Sequence, residues 1–305
     1  MPVKPLISIL TPSYNQGRFI EETILSIKNQ EYSNFEHIIA DGGSTDLTLD
    51  FLKKYENTYP MHWISEPDKG QADALNKCFQ ASRGDIIGWL NTDDLYEDGA
   101  FEKVVDYFIN HPEVNIVYGN CTIIDEEGKI IQKNMGTYTR EKLINFWEGY
   151  YGFNQPSIFY RRAVFDRIGL FDTNLHYVMD YDFLLRAGEF FEFGYVDADL
   201  SRFRVHGSSK GASGWEKFVE ESIPVINRYW KKRNWLKFLY YFFILKSYYA
   251  GIIMDQTQTD YFSNNKVPSI TLLIKILSNN PFLVFNQGYQ RIILHKFIRA
   301  GSKGN

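Results

Sequence analysis

The apolar positions of the first 120 residues alternate between two spacings. Leu6-Ile-Ser-Ile-Leu10 is a short continuous apolar run, after which Ile20, Ile24, Leu25 and Ile27 fall at helical spacing. Phe35–Ala40, Met61–Ser65, Asp85–Leu90 and Asn115–Tyr118 repeat the first pattern. Helical stretches over 47–55, through Leu75 and Phe79, and over 101–109 separate them. Short apolar runs bounded by turn residues read as strands, and spacing near 3.6 reads as helix. Their alternation predicts an α/β fold with a Rossmann-like, mostly parallel sheet, because parallel strands need a crossover long enough to hold a helix.

Beyond residue 119 the pattern loosens. Residues 120–134 read as a hairpin turning at Asp125-Glu-Glu-Gly128, with Lys129-Ile-Ile-Gln132 as its return strand. A strand at 158–160, a helix near 162–167 and a strand-like run over 191–196 follow.

In sheets of this kind, ligands bind beyond the carboxyl ends of the strands. At those ends stand Thr11, Tyr14 and Asn15, then Asp41, then Asp68, then Asn91, Asp93 and Asp94. The edge thus carries four carboxylates and a tyrosine. Neither glycine-rich phosphate fingerprint, G-x-G-x-x-G or G-x-x-x-x-G-K-[ST], follows the first strand. Bare carboxylates would repel a phosphate, whereas a hard divalent cation held by them would attract one. Any one of these acids reads first as a helix N-cap, since each loop precedes a helix, but four acidic loops in register at one edge point to a site.

Composition alters this picture little until it is divided along the chain. The 305 residues include 44% hydrophobic and 23% charged positions, which excludes disordered and collagen-like classes. Two cysteines, Cys78 and Cys121, can form neither a disulfide framework nor a four-cysteine zinc site, so a reducing, cytoplasmic setting is expected. The opening residues lack the long apolar stretch of a signal peptide. The formal charge is −4, but residues 1–227 carry −14 and residues 228–305 carry +10. Two domains are therefore expected, an acidic module over 1–227 and a basic, aromatic-rich helical extension over 228–305. Residues 229–249 alone hold ten aromatics. Phe238 to Met254 is too short and polar-dotted for a convincing span. The extension reads either as a peripheral contact with an anionic membrane surface, at the inner face of the cell membrane, or as helices packed on the module. Nucleic acid is not an expected partner, because no recognition motif appears and the acidic module would repel its backbone.

Five segments together resemble the family 2 glycosyltransferases, enzymes of GT-A fold that use nucleotide sugars. They are Ser8-Ile-Leu-Thr-Pro-Ser-Tyr-Asn15, Ile39-Ala-Asp-Gly-Gly-Ser-Thr-Asp46, Asp68-Lys-Gly-Gln-Ala-Asp-Ala-Leu-Asn76, Asn91-Thr-Asp-Asp94 and Asp180-Tyr-Asp-Phe-Leu-Leu-Arg186. Their order and spacing carry the resemblance over residues 5–210.

The resemblance implies roles position by position. Thr11, Pro12, Tyr14 and Asp41 match residues that hold the base and ribose, and Asp68 lies in a loop that closes over the nucleotide. Asn91-Thr92-Asp93 matches the D-x-D metal motif, with Asn replacing its first aspartate. Asp93 is then the principal ligand of a divalent metal, Mn²⁺ or Mg²⁺, with Asn91 a weak neutral ligand. His206 falls where several GT-A enzymes complete the metal sphere; its plainer reading is structural. Gln155 and Pro156 match a segment lining the donor and acceptor pocket, or mark a simple turn. Asp180 takes the place of the base in a Glu-Asp pair, with Met179 at the usual Glu position. Asp182 is the second choice. An inverting transfer from a nucleotide-diphosphate sugar, by default a UDP-sugar, to a glycan or lipid-linked acceptor is the implied activity, in cell-surface polysaccharide assembly. Two alternatives stand beside it. A non-catalytic nucleotide-sugar-binding protein would need no base. A sugar nucleotidyltransferase should carry a glycine-rich, basic loop after the first strand, unlike Tyr14-Asn-Gln-Gly-Arg18.

Overall fold

The computed structural model describes residues 4–135, 139, 143–144, 154–207, 209 and 215–230. Strands β1 (Ile7–Ser13), β2 (Phe35–Asp41), β3 (Met61–Ser65) and β4 (Ile86–Trp89) alternate with helices α1 (Ile20–Lys28), α2 (Thr48–Tyr55) and α3 (Gln71–Ala81). A short β5 (Leu95–Tyr96), α4 (Ala100–Asn110), β6 (Ile116–Ile124) and β7 (Ile130–Asn134) follow. After a 3-10 turn at Gln155–Ser157 come β8 (Ile158–Arg161), α5 (Arg162–Ile168), α6 (Met179–Ala187), β9 (Phe193–Arg204) and α7 (Trp215–Trp230).

The strands form one sheet in the order β3-β2-β1-β4-β8-β6-β9-β5, with β7 beside β6. β1 to β4 run parallel, β8 is antiparallel to both its neighbours, and β6 and β9 are again parallel. The α/β expectation therefore holds, with the antiparallel strands concentrated in the second half. β1 is buried at all seven positions, as a parallel strand covered on both faces should be. Ile7 and Ile9 share a core with Phe101, Val104 and Phe108 of α4, and a second cluster joins Ile20 and Ile24 of α1 to Ile39 and Leu52. Full burial of side chains of this size contributes about 1.5–3 kcal/mol each.

Three segments differ from the sequence expectation. β1 extends through Ser13 and so takes in Pro12. The Ser13 carbonyl points toward β2, where it accepts the Gly42 N–H, so the Pro12 nitrogen points the other way. There β4 has already ended opposite Leu10, and the missing N–H costs no ladder bond. β6 is continuous, merging the expected strand at 115–118 with the first arm of the hairpin. Gly119 lies between the two expected segments; in the sheet it admits β9, because a Cβ there would lie 2.5 Å from Leu200 Cδ1. β9 runs twelve residues, to Arg204.

The chain divides into two compact units, Met1–Trp215 and Glu216–Asn305. The expected boundary at 227/228 lies inside α7, and residues 231–305, with nearly all of the basic extension, lie outside the described residues. α7 contains Pro224. Among the described residues, no helix is long and apolar enough to cross a membrane.

Candidate functional site

Register aligns the ends of the parallel strands. Ser13 stands beside Asp41 and Asp41 beside Ser65, so the loops after β1, β2 and β3 open at one edge. Asp41 is buried, and its carboxylate accepts from the Gly43 and Ser44 N–H groups and from the Ser44 and Ser65 hydroxyls. Those four donors engage both carboxylate oxygens, so Asp41 braces the loop after β2. Thr11 is buried against His37, whose Nε2 lies 2.9 Å from Thr11 Oγ1. Burial pushes the His37 pKa down to about 3, so the imidazole is neutral. Tyr14, by contrast, is 61% exposed. Asp68 reaches the same loop. A Cβ on Gly42 would lie 2.8 Å from Asp68 Oδ2 and 3.3 Å from Tyr14 Cδ2, so glycine leaves room there for both side chains. Asp68 Oδ1 accepts the Gly70 N–H at 2.7 Å.

The turn after β4 gathers most of the remaining polar groups. Thr92 is buried, and its hydroxyl donates to the Pro12 carbonyl. Asp94 is fully buried, accepting from the Arg204 N–H at 2.9 Å and from Asn91 Nδ2 at 3.2 Å. Burial first, and the neighbouring Asp93 second, push its carboxyl well above the usual carboxylate range. Asp93 faces outward from the turn, and His206 Nε2 lies 3.0 Å from its Oδ2. The imidazole is held by Phe19, with ring centroids 4.7 Å apart, and by the turn in which the Ser209 N–H donates to the His206 carbonyl.

Arg204 had no assigned role in the sequence, yet it is among the largest fully buried side chains. Its Nε donates to the Asp93 carbonyl at 3.0 Å, Nη1 to the Glu126 carbonyl at 2.9 Å and Nη2 to Glu22 Oε2 at 2.6 Å. The guanidinium also lies over the Phe19 ring. A basic residue near a strand end gives no sequence signal of this kind.

Gln155 and Asn91 are joined directly, with Asn91 Nδ2 donating to Gln155 Oε1 at 3.2 Å. Gln155 and Pro156 are buried. Asp180 occupies the second position of α6, half-buried, with its Oδ1 accepting the Tyr181 N–H. α6 is fixed by an aromatic cluster in which Phe183 lies 4.7 Å from Phe165 and 4.5 Å from Phe171, while Phe165 stacks on Phe79 of α3 at 4.3 Å. Asn76 of α3 pairs its amide with both backbone groups of Phe171, tying the approach to α6 onto α3. Asp182 is buried and bonded to Arg186 Nε at 2.8 Å. Arg186 in turn donates to the Ile168 and Leu170 carbonyls. Asp182 is thus part of a scaffold clamp that ties α6 to the segment before it.

None of these acids is itself an N-cap residue, although Asp68 accepts the Gly70 N–H at the entry to α3 and Asp180 the Tyr181 N–H in the first turn of α6. The N-cap residues of α1, α2, α3, α4 and α6 are Phe19, Leu47, Gly70, Gly99 and Val178, none with a side-chain cap bond.

Asp93 and His206 suit a divalent cation. Asp93 Oδ2 and His206 Nε2 lie 3.0 Å apart, within hydrogen-bond distance of one another. One carboxylate and one imidazole fit Mn²⁺ or Mg²⁺ with oxygens from a substrate filling the rest. Among the described residues, no group of three or more His, Cys, Asp or Glu stands together as a metal cluster. Asn91 offers no ligand oxygen, because its Oδ1 already accepts from Gln71 Nε2 and Trp89 Nε1.

Residues 8–169 match the profile of glycosyl transferase family 2. The chondroitin synthase of Escherichia coli is 30% identical over 226 residues, which is 73% of this chain and 32% of the relative. The chain also spans 23% of the chondroitin synthase of Pasteurella multocida, so it corresponds to a third or less of these relatives' length. Among solved structures, S. aureus TarS 1–349 in complex with UDP-GlcNAc aligns at a TM-score of 0.63 over 94% of this chain and 82% of its own, with 17% identity. The mannosyltransferase PcManGT of Pyrobaculum calidifontis, in complex with GDP-Man and Mn²⁺, aligns at 0.57 over 100% of this chain and 88% of its own, with 14% identity. The sheet order and these alignments give the GT-A fold, and the profile match places the chain in glycosyl transferase family 2.

Proposed function

We propose that the chain transfers a sugar from a nucleotide-diphosphate sugar to an acceptor hydroxyl, with inversion, in polysaccharide assembly. The observation that carries this is the pairing of Asp93 with His206 at the carboxyl edge of the parallel strands. The exposed Tyr14 supplies a ring face for the base, while Thr11, Pro12, Asp41 and Asp68 shape the nucleoside wall. Asp93 and His206 would hold a divalent ion, which would supply positive charge against the diphosphate of the donor and the departing nucleotide. The Asp180 carboxylate takes the proton of the acceptor hydroxyl as its oxygen attacks the anomeric carbon. The bond from that carbon to the diphosphate breaks on the opposite face, and the nucleoside diphosphate leaves. A single displacement of this kind inverts the anomeric centre. Gln155 and Pro156 line the region between donor and acceptor.

A UDP-sugar is the donor of choice, in keeping with UDP-GlcNAc bound to the structurally similar TarS. The acceptor is a glycan or lipid-linked sugar, with the +10 extension facing an anionic membrane at the inner face of the cell membrane. Binding of the full chain to vesicles containing phosphatidylglycerol, lost when residues 228–305 are removed, would support that placement; unchanged binding would remove it.

Release of UDP from a panel of UDP-sugars, with Mn²⁺ and then with EDTA, tests the central reading. Metal-dependent release that is lost in Asp180→Asn supports it. Binding of UDP with no turnover on any sugar donor would favour the non-catalytic alternative.

A further inference from the structure

We infer that Asn91, at the position where the D-x-D motif carries its first aspartate, is a hydrogen-bond keystone that positions the metal turn, and that aspartate at this position would disable the site. The carboxamide of Asn91 uses every bond it can make. Oδ1 accepts from Gln71 Nε2 at 2.7 Å and from Trp89 Nε1 at 2.8 Å. Nδ2 donates to Asp94 Oδ2 and to Gln155 Oε1, each at 3.2 Å. An indole N–H can only donate, so the atom it meets must be the oxygen, and the orientation of the amide is fixed.

Four separate elements converge on this side chain. Gln71 opens α3, directly after the Asp68 loop, and Trp89 ends β4. Gln155 begins the turn before β8, and Asp94 is the buried partner of the Arg204 N–H. One amide therefore fixes the Asp93 turn against the Asp68 loop on one side and the Gln155 turn on the other.

Neither acceptor facing Nδ2 can turn away to suit a carboxylate. Gln155 Nε2 donates to the Trp89 carbonyl at 2.6 Å, which holds Oε1 toward Asn91. Asp94 Oδ1 is held by the Arg204 N–H, which leaves Oδ2 toward Asn91. The carboxylate introduced by Asn91→Asp would keep one oxygen for Gln71 and Trp89. Its second oxygen would confront the Gln155 Oε1 acceptor outright, and it could meet the fully buried Asp94 carboxyl only through the proton that group holds. Asparagine is the residue whose two ends match two donors and two acceptors.

The fold side of this inference is independent of the activity; its catalytic side rests on the proposed function, and the test separates them. Asn91→Asp, Asp94→Asn and an exchange variant carrying both substitutions are compared with the wild-type full chain. In the exchange variant, the amide introduced at position 94 can still accept from the Arg204 N–H while donating to the carboxylate introduced at position 91. The readouts are melting temperature, Mn²⁺ affinity in the presence of UDP, and kcat and donor KM at saturating Mn²⁺. Asn91→Asp is expected to melt several degrees lower and to lose about tenfold in kcat, with no tightening of Mn²⁺. The exchange variant should regain most of the lost melting temperature. Tighter Mn²⁺ binding by Asn91→Asp, with melting unchanged, would overturn the inference by making position 91 a metal ligand. A loss in Asn91→Asp that the exchange variant leaves uncorrected would overturn the hydrogen-bond assignment. If the wild type binds no Mn²⁺ with UDP, the proposed function fails, while the melting data still decide the keystone.

Discussion

Arg204 Nε holds the main-chain carbonyl of Asp93 at 3.0 Å, and two residues later His206 meets the Asp93 carboxylate. One strand end therefore grips both the backbone and the side chain of the same residue. Arg204→Met keeps the volume but orphans the Asp93 and Glu126 carbonyls, at about 1–3 kcal/mol for each buried group left unpaired. Urea denaturation should show a loss of about 3 kcal/mol in all. Arg204→Lys keeps the charge but not the planar fork, so most of the loss should remain.

Asp180 and Asp182 should separate cleanly. Asp180→Asn is expected to lower kcat by about 10²–10⁴ while leaving melting temperature and UDP affinity nearly unchanged. Asp182→Asn should do the reverse, because it leaves Arg186 without its carboxylate partner, at about 2–4 kcal/mol of stability. Equal turnover by Asp180→Asn and wild type in an acceptor-supplied assay would remove Asp180 as the base.

Gly42→Ala tests the close approach of Asp68. The atom a new methyl would strike is the tip of the Asp68 side chain, 2.8 Å away, so the fold should yield at little cost. Asp68 would be displaced, and donor KM should rise several-fold with kcat nearly constant. Steady-state kinetics against a UDP-sugar reads this directly, and an unchanged KM would detach Asp68 from donor binding.

Much of this is legible in the chain itself. The parallel strands announce themselves through runs such as Leu6–Leu10, and Asp93 and His206 each stand in a recognisable place. At Gly119, composition cannot tell a glycine that breaks a strand from one that admits a neighbouring Leu200. Arg204 and the four bonds of Asn91 are invisible for a different reason. A side chain's hydrogen-bond partners are set by tertiary placement, and those of Arg204 lie 78 to 182 residues away. Asp182 shows the converse, a motif residue whose neighbour in space, Arg186, gives it another task.

Stability should depend on pH through His37. Its folded pKa is depressed to about 3 by burial, against about 6.5 when unfolded. Between those values the unfolded chain binds the additional proton, so the stabilisation present above pH 6.5 is lost as pH falls, by up to about 1.4 kcal/mol per unit. Asp94, raised well above the carboxylate range, works in the opposite direction, because there the folded chain holds the proton. His37→Gln removes only the first contribution. Urea midpoints between pH 6.5 and 4.5 should fall less steeply with acidification in the variant than in the wild type.

The twelve residues of β9 carry a consequence for how the chain acquires competence during synthesis. Asp93 leaves the ribosome early, but His206 follows 113 residues later and reaches it only once β9 has threaded between β6 and β5. Pairings of such sequence separation form late, after the local βα units. A nascent chain can therefore assemble its parallel strands and still lack the Asp93–His206 pair, and that pair marks a chain whose sheet is complete.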